Sequence, residues 1–414
     1  MHITHLSLTN FRNYGRLELK VPRGATLLYG NNAQGKTNLL EAIYYLATTR
    51  SPNADYDYQL INWEASQTDE TIVVGRIIAQ ISTASGEQLL EMRLIREQKA
   101  GINSNGFSFR RQALINKRNV RLMDLLGNLR VVMFLPQDIQ LVTGSPSVRR
   151  RYLDITLCQI DPIYCRALSH YNKVLEQRNA LLRQLSEGSG SRDTLPIFTD
   201  RLVELGSQVF ARRGLFLKNL GREAQRVHYE SLTMGQELIR ITYLPRLSPQ
   251  SSARNGKMDT LLELGEWLQE DTIEIGAVQN RFREMIQNVE AMDIARGTTS
   301  IGPHRDDWRF WVNNRELNSY GSRGQQRSAI LALKMAEINW MTQMTNESPI
   351  LLLDEVVAEL DEQRRASLLS TVKESTQALL TATDPGMFTQ SFLNEATNMR
   401  VENGRIHASQ ENEI

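Results

Sequence analysis

Gly30-Asn31-Asn32-Ala33-Gln34-Gly35-Lys36-Thr37 is a complete G-x-x-x-x-G-K-[ST] loop, and its flanks decide how it is read. Upstream, Ala25-Thr26-Leu27-Leu28-Tyr29 has the character of a buried strand. Downstream, Leu39, Leu40, Ile43 and Leu46 recur at helical spacing, which predicts a helix from about Lys36. A chance glycine turn lacks such flanks. Between a strand and a helix, glycines let backbone amides turn inward and cradle phosphate oxygens at the helix N-terminus. Lys36 then reaches the outer phosphates, and the Thr37 hydroxyl is placed to ligate Mg²⁺.

About three hundred residues later, Ile350-Leu351-Leu352-Leu353-Asp354-Glu355 is an apolar strand ending in two acids. Alone, this is weak, because any strand end can carry acids. After a P-loop it reads as a Walker B strand, with Asp354 as a Mg²⁺ acid and Glu355 as general base for an attacking water. Just ahead of it, Tyr320-Gly321-Ser322-Arg323-Gly324-Gln325-Gln326-Arg327 puts a hydroxyl and free amides at a helix start, an anion site. Taken alone it is an ordinary N-cap. In this position it resembles the signature motif of ABC-type ATPases, in which Ser322, Gly324 and Gln325 would meet the γ-phosphate held by the opposite subunit. Met133-Phe134-Leu135-Pro136-Gln137-Asp138 is similar to the glutamine loop of the same class, with Gln137 as a Mg²⁺ or water ligand.

The 414 residues exceed one simple domain. Charge is balanced, 48 Lys+Arg against 47 Asp+Glu, so any nucleic-acid surface is a local patch. Cys158 and Cys165 have no second pair for a four-ligand metal site and read as idle thiols. No apolar run approaches the roughly 20 residues of a membrane helix, and Met1 to His5 lack a secretory pattern; the expectation is a soluble, cytoplasmic protein. Residues 71 to 135 look β-rich, with turn signals at Ser85-Gly86 and Gly101 to Gly106. From about Pro162 to Ile294 the pattern is helical, broken by polar stretches at Ser186 to Ser191 and Pro245 to Gly256. The predicted fold class is α/β: an ABC-type P-loop ATPase head of the SMC kind, built from residues 1–158 and 298–414, with a helical arm inserted at 159–297.

Four further stretches carry a family likeness: Asn10-Phe11-Arg12-Asn13-Tyr14, Gly35-Lys36-Thr37-Asn38, Leu141 to Pro146 running into Arg149-Arg150-Arg151-Tyr152-Leu153-Asp154, and Ile301-Gly302-Pro303-His304-Arg305-Asp306-Asp307. Together with the motifs above, they make the chain resemble the RecF family over essentially its whole length. The resemblance implies ATP and Mg²⁺ as ligands, with Arg12 and Asn38 joining Gly30 to Thr37 around the nucleotide. It also implies ATP-driven homodimerisation, weak DNA-stimulated ATPase activity, binding to duplex, gapped or junction DNA, and work with RecR and RecO in placing RecA at single-strand gaps. The chain departs from the family pattern at Glu355, where Asp is common, and in Leu379 to Asp384, which lacks a switch His, so that Thr383 or Asp384 would have to sense the γ-phosphate.

Arg110, Arg111, Lys117, Arg118 and Arg121 crowd a stretch with the single acid Asp124. Charge runs are usually solvated surface; given the resemblance, phosphate contact is about as good a reading. Arg149 to Arg151 form a second candidate, and His304 reads as structuring its loop beside Pro303. Rival functions fit less well. An ATP-dependent nuclease needs an acidic domain after Asp354, a transporter subunit needs a switch His, and a structural SMC-like repair ATPase needs long heptad arrays.

Overall fold

The computed structural model describes residues 1–68, 70–98, 106–247, 256–271 and 273–408. The expected turn at 101–105 and most of the break after Pro245 lie outside the described residues. In chain order the strands are β1 (His2–Phe11), β2 (Tyr14–Lys20), β3 (Gly24–Tyr29), β4 (Ile72–Thr83), β5 (Gly86–Gln98), β6 (Phe107–Ile115), β7 (Arg118–Val120) and β8 (Val131–Phe134). They continue with β9 (Ile239–Leu244), β10 (Asp307–Val312), β11 (Arg315–Glu316), β12 (Ile350–Asp354), β13 (Gln377–Ala382), β14 (Thr397–Glu402) and β15 (Arg405–Ala408). Two compact units result, one from 1–137 with 337–414, the other from 138–336.

The first unit holds two sheets. One is antiparallel, in the order β2-β1-β4-β5-β6-β7; the other runs β15-β14-β3-β13-β12-β8 and is parallel except at β14–β15. Every residue of β12 is buried, as a central parallel strand requires, which is why its sequence is apolar without alternation. Register pairs Asp354 with Thr381 and Ala382 with Tyr29, so β3, β12 and β13 end together. Open α/β sheets bind ligands outside such carboxyl ends. Buried Gln377 joins the two sheets: its side-chain NH₂ donates to the carbonyls of Ile3 and Pro22, and its Oε1 accepts from the Ile3 amide.

In the second unit, helices Pro162–Ser186, Leu195–Val227 and Ile275–Asn288 supply the helical part of the predicted arm. The expectation of a helical pattern from about Pro162 to Ile294, broken at Ser186 to Ser191 and Pro245 to Gly256, fails at β9. This strand lies just before the second break and pairs antiparallel with β10 from Ile239–Val312 to Leu244–Asp307. That partner lies some seventy residues away, so local periodicity could not reveal it. The unit also takes in helix Pro146–Cys158 and residues 298–336, which the sequence reading assigns to the head. Buried Arg213 of helix Leu195–Val227 pairs with Asp154 and Asp306 and so ties both stretches to the helices. Arg149 ties them to each other: its buried guanidinium makes a two-point pair with Asp307 at 2.6 and 3.0 Å, and its carbonyl accepts from Trp308 Nε1.

Candidate nucleotide site

The glycine loop leaves β3 at Gly30 and enters helix Lys36–Thr48 through Gly35. Both glycines have positive φ, 146° and 114°. A Cβ at Gly30 would collide with the Val401 carbonyl, and one at Gly35 would come within 2.6 Å of Asn13 Nδ2. Two turns brace the loop. Asn13 Nδ2 donates to the Gln34 carbonyl, Tyr14 OH to the Gly35 carbonyl, and Asn38 Nδ2 to Asn13 Oδ1. From the β14–β15 hairpin, the amides of Asn403 and Gly404 donate to Gln34 Oε1 and its carbonyl. This second brace has no sequence signal, because a hairpin nearly 370 residues away is just a hairpin until it folds.

Lys36 is almost fully buried, with Nζ donating to the carbonyls of Gly30 (2.6 Å) and Asn31 (3.0 Å) and standing 3.4 Å from Glu355 Oε1. Thr37 Oγ1 donates to Asp354 Oδ1 at 2.9 Å across 317 residues of sequence, and Thr381 Oγ1 donates to the same oxygen at 2.8 Å. Thr381 also accepts the Glu355 amide at 2.9 Å, and Glu355 sits at φ 54°, a left-handed conformation costly for a residue with a side chain. Burial pushes the Asp354 carboxyl up, against the hydroxyl bonds from Thr381 and Thr37. A half-compensated buried carboxylate beside a threonine hydroxyl is the donor set a hard divalent cation takes together with phosphate oxygens. Asn32 to Asn38 and Glu355 surround a cavity of about 230 Å³ at this point.

Thr381 is the residue missed by reading the sequence. The sequence points to Thr383 or Asp384 as the γ-phosphate sensor; Asp384 caps a turn through the Gly386 amide, and Thr381 is the β13 residue that donates to the Asp354 carboxylate and accepts the Glu355 amide. Arg12 is not free. Its guanidinium grips buried Glu41 at 2.8 and 2.9 Å, and Ser51 Oγ donates to the same carboxylate. It still lines, with Asn13, Asn38, Tyr58, Trp63 and Phe107, a second cavity of about 690 Å³. Gln137 is exposed and donates to Asn53 Oδ1; among the described residues no bond joins it to Thr37 or Asp354.

In the second unit, Ser322 opens helix Arg323–Thr345 with a reciprocal cap: its amide donates to Gln325 Oε1 (2.9 Å) and its Oγ accepts the Gln325 amide (3.2 Å). The capping role the sequence allows is therefore real. It uses the oxygen as acceptor and leaves the hydroxyl proton available to an anion. Gln325 Nε2 also donates to Glu237 at 2.7 Å.

The basic stretch divides. Arg111 is partly buried, paired with Asp57 and bonded to the Thr49 carbonyl; Arg110 pairs with Glu97 and Arg121 with Asp124. Lys117 and Arg118 are exposed at the β6–β7 turn. Of the second cluster, Arg149 pairs with Asp307 and Arg150 donates to the Asp306 carbonyl.

The family model described as RecF/RecN/SMC N terminal domain matches residues 2–407. The chain is 39% identical over 411 residues to the DNA replication and repair protein RecF of Herpetosiphon aurantiacus, covering 98% of this chain and 99% of that protein. It is 40% identical over 414 residues to the protein of that name in Chloroflexus aurantiacus, covering 99% and 100%. Among solved structures, the recombination mediator protein RecF with ATP, in the RecFOR pathway, superposes with TM-score 0.81 at 27% identity over 98% of this chain and 97% of that one. An SMC head bound to the C-winged helix domain of ScpA matches at TM-score 0.51 and 14% identity over 99% of both chains, a likeness of fold.

Proposed function

The chain belongs to the RecF family, with an ABC-type ATPase head of the SMC kind, and on that premise we propose that it is an ATP-dependent DNA-binding clamp of recombinational gap repair. ATP binding closes two copies over two nucleotides, the closed dimer holds duplex-containing DNA, and slow hydrolysis opens it. RecR and RecO act with it in loading RecA at gaps, in the cytoplasm. Among the described residues no helix is long and apolar enough to cross a membrane. The observation that carries the reading is the Thr37–Asp354–Thr381 cluster, which brings together the glycine loop, the acidic strand and the neighbouring strand at one sheet edge.

The chemistry follows from the side chains. Loop amides and Lys36 take the phosphates; Thr37 and Asp354 hold Mg²⁺, which supplies charge neutralisation at the phosphates when bound. The cavity beside Arg12, Asn13 and Asn38 has room for base and ribose, with aromatic side chains for stacking. Glu355 accepts a proton from the water whose oxygen attacks the γ-phosphorus, as the bond to the bridging oxygen breaks and ADP leaves. Lys36 now stands beside Glu355; drawn to phosphate, it frees that carboxylate to act as base. The cation at Lys117 and Arg118 serves DNA phosphate. An SMC-like structural role fits less well, since the longest helix among the described residues has 33 residues.

Gel-shift binding to gapped, duplex and single-stranded DNA with ATP, ADP or no nucleotide tests the proposal. Preference for duplex-containing DNA that appears with ATP, and disappears in Lys36→Ala together with ATP binding, is the expected result. Nucleotide-independent binding would reject the clamp.

A further inference from the structure

Exposed apolar side chains gather beside the signature turn. Tyr320, two residues before Ser322, is 76% exposed, and Met234 is 67% exposed, with Tyr229 and Leu238 also open to solvent. The segment carrying the last three is pinned. Helix Leu195–Val227 ends in a π-helical turn, His228–Leu232, and the Gly235 amide then donates back to the Tyr229 carbonyl at 2.8 Å. Met234 stands at φ 49°, a left-handed position that a side chain occupies at a cost. Glu237 is held by Gln325, the residue that closes the cap on Ser322, and the Leu238 amide is held by Asn313 Oδ1. These bonds hold the segment in a shape that leaves Met234 and Tyr229 exposed.

We propose that Tyr320, Met234, Tyr229 and Leu238 form an apolar anchor for a second copy of this chain, pressed against the partner around its glycine loop when two copies close over nucleotide. The proposal rests on the clamp reading, in which Ser322 meets nucleotide bound by the partner. Whatever surface Ser322 reaches, the side chains clipped to its own turn must meet as well. The surface around the glycine loop suits them: it exposes Tyr56 and Trp63, at 62% and 74%, close to the cavity lined by Arg12 and Asn38. A two-fold dimer makes this contact twice, each copy offering both halves. Buried aromatic and methionine side chains at a water-excluded centre are the usual carriers of interface affinity.

Sedimentation of the full chain with Mg²⁺ and a non-hydrolysable ATP analogue tests the anchor. Met234→Asp and Tyr320→Ser should each bind nucleotide as the wild type does, yet weaken the dimer about 30-fold or more, the loss typical of a hot-spot side chain. Ile197→Asp is the control. Ile197 is comparably exposed, but sits near the start of helix Leu195–Val227, about 45 Å of helix from the π turn, and should dimerise normally. A wild-type chain that stays monomeric overturns the clamp reading and the anchor with it. A nucleotide-dependent dimer indifferent to both substitutions overturns the anchor alone.

Discussion

Lys36 directs one ammonium at two loop carbonyls and at Glu355, and a phosphate arriving in the loop must compete for it. Glu355 in turn hangs from Thr381 by its amide, while Thr381 donates to Asp354. Two substitutions separate these roles. Glu355→Gln removes the proton acceptor and should slow turnover about 10²–10⁴-fold while ATP still binds. Thr381→Val leaves both carboxylates in place but removes the hydroxyl that orients them; the lost hydrogen bonds, about 1–3 kcal/mol, predict a ten- to hundredfold lower kcat with nucleotide affinity little changed. Steady-state ATPase and filter binding check both. Should Glu355→Gln turn over normally, Asp361 is a poor substitute base, because it caps helix Glu362–Glu374 through the Arg364 amide and pairs with the Arg364 side chain.

The loop from Ile301 to Asp307 shows what a motif can do away from the chemistry. Pro303 and Asp306 sit on buried Arg213, which also pairs with Asp154; Asp306 accepts further bonds from Tyr243 OH and the Arg246 amide. His304 bonds to Tyr171 OH at 2.6 Å and to the Thr299 carbonyl at 3.2 Å, a pair of partners that suits neutral imidazole with the proton on Nε2. Burial pulls its pKa down from 6.5 to about 4. The unfolded chain therefore takes up a proton that the folded one refuses, and this stability is present above pH 6.5 and lost as pH falls towards 4, at most about 3 kcal/mol. Asp306, pushed up to about 6 by burial, acts in the opposite direction below pH 6. Comparing wild type with His304→Gln in urea unfolding from pH 7 to 5 isolates the histidine: the variant should start less stable and lose less on acidification.

For the entire chain, the balanced charge means that DNA affinity has to come from few cations, and ion pairing within the fold reduces them further. Arg110, Arg111 and Arg121 are already paired, and surface pairs such as Arg121–Asp124 compete with phosphate, weakly but in the wrong direction. Lys117→Gln with Arg118→Gln should flatten the dependence of log affinity on log salt by about 1.8, two phosphate contacts' worth, with ATP binding unchanged. Arg111→Gln should instead lower the melting temperature, because it leaves Asp57 and the Thr49 carbonyl without their donor. A salt titration and a thermal melt distinguish the two cases.

Much of the site was legible beforehand because its parts are local. A strand, two glycines, a lysine and a helix within thirty residues carry their own geometry, and an apolar run ending in Asp354-Glu355 can scarcely be anything but a central strand with acids at its tip. Ser322 and Gln325, three apart, announce a cap for the same reason. What folding alone decided are the long-range choices. Thr381 became part of the site through strand register, β9 became a strand through a partner some seventy residues on, and the loop brace from Asn403 and Gly404 came from the opposite end of the chain. The arginines divided into paired and exposed ones according to which carboxylates the fold set beside them. Side-chain type and spacing act over a few residues, whereas pairing and burial depend on which distant segments exclude water together, and one residue's neighbours in sequence carry no record of that.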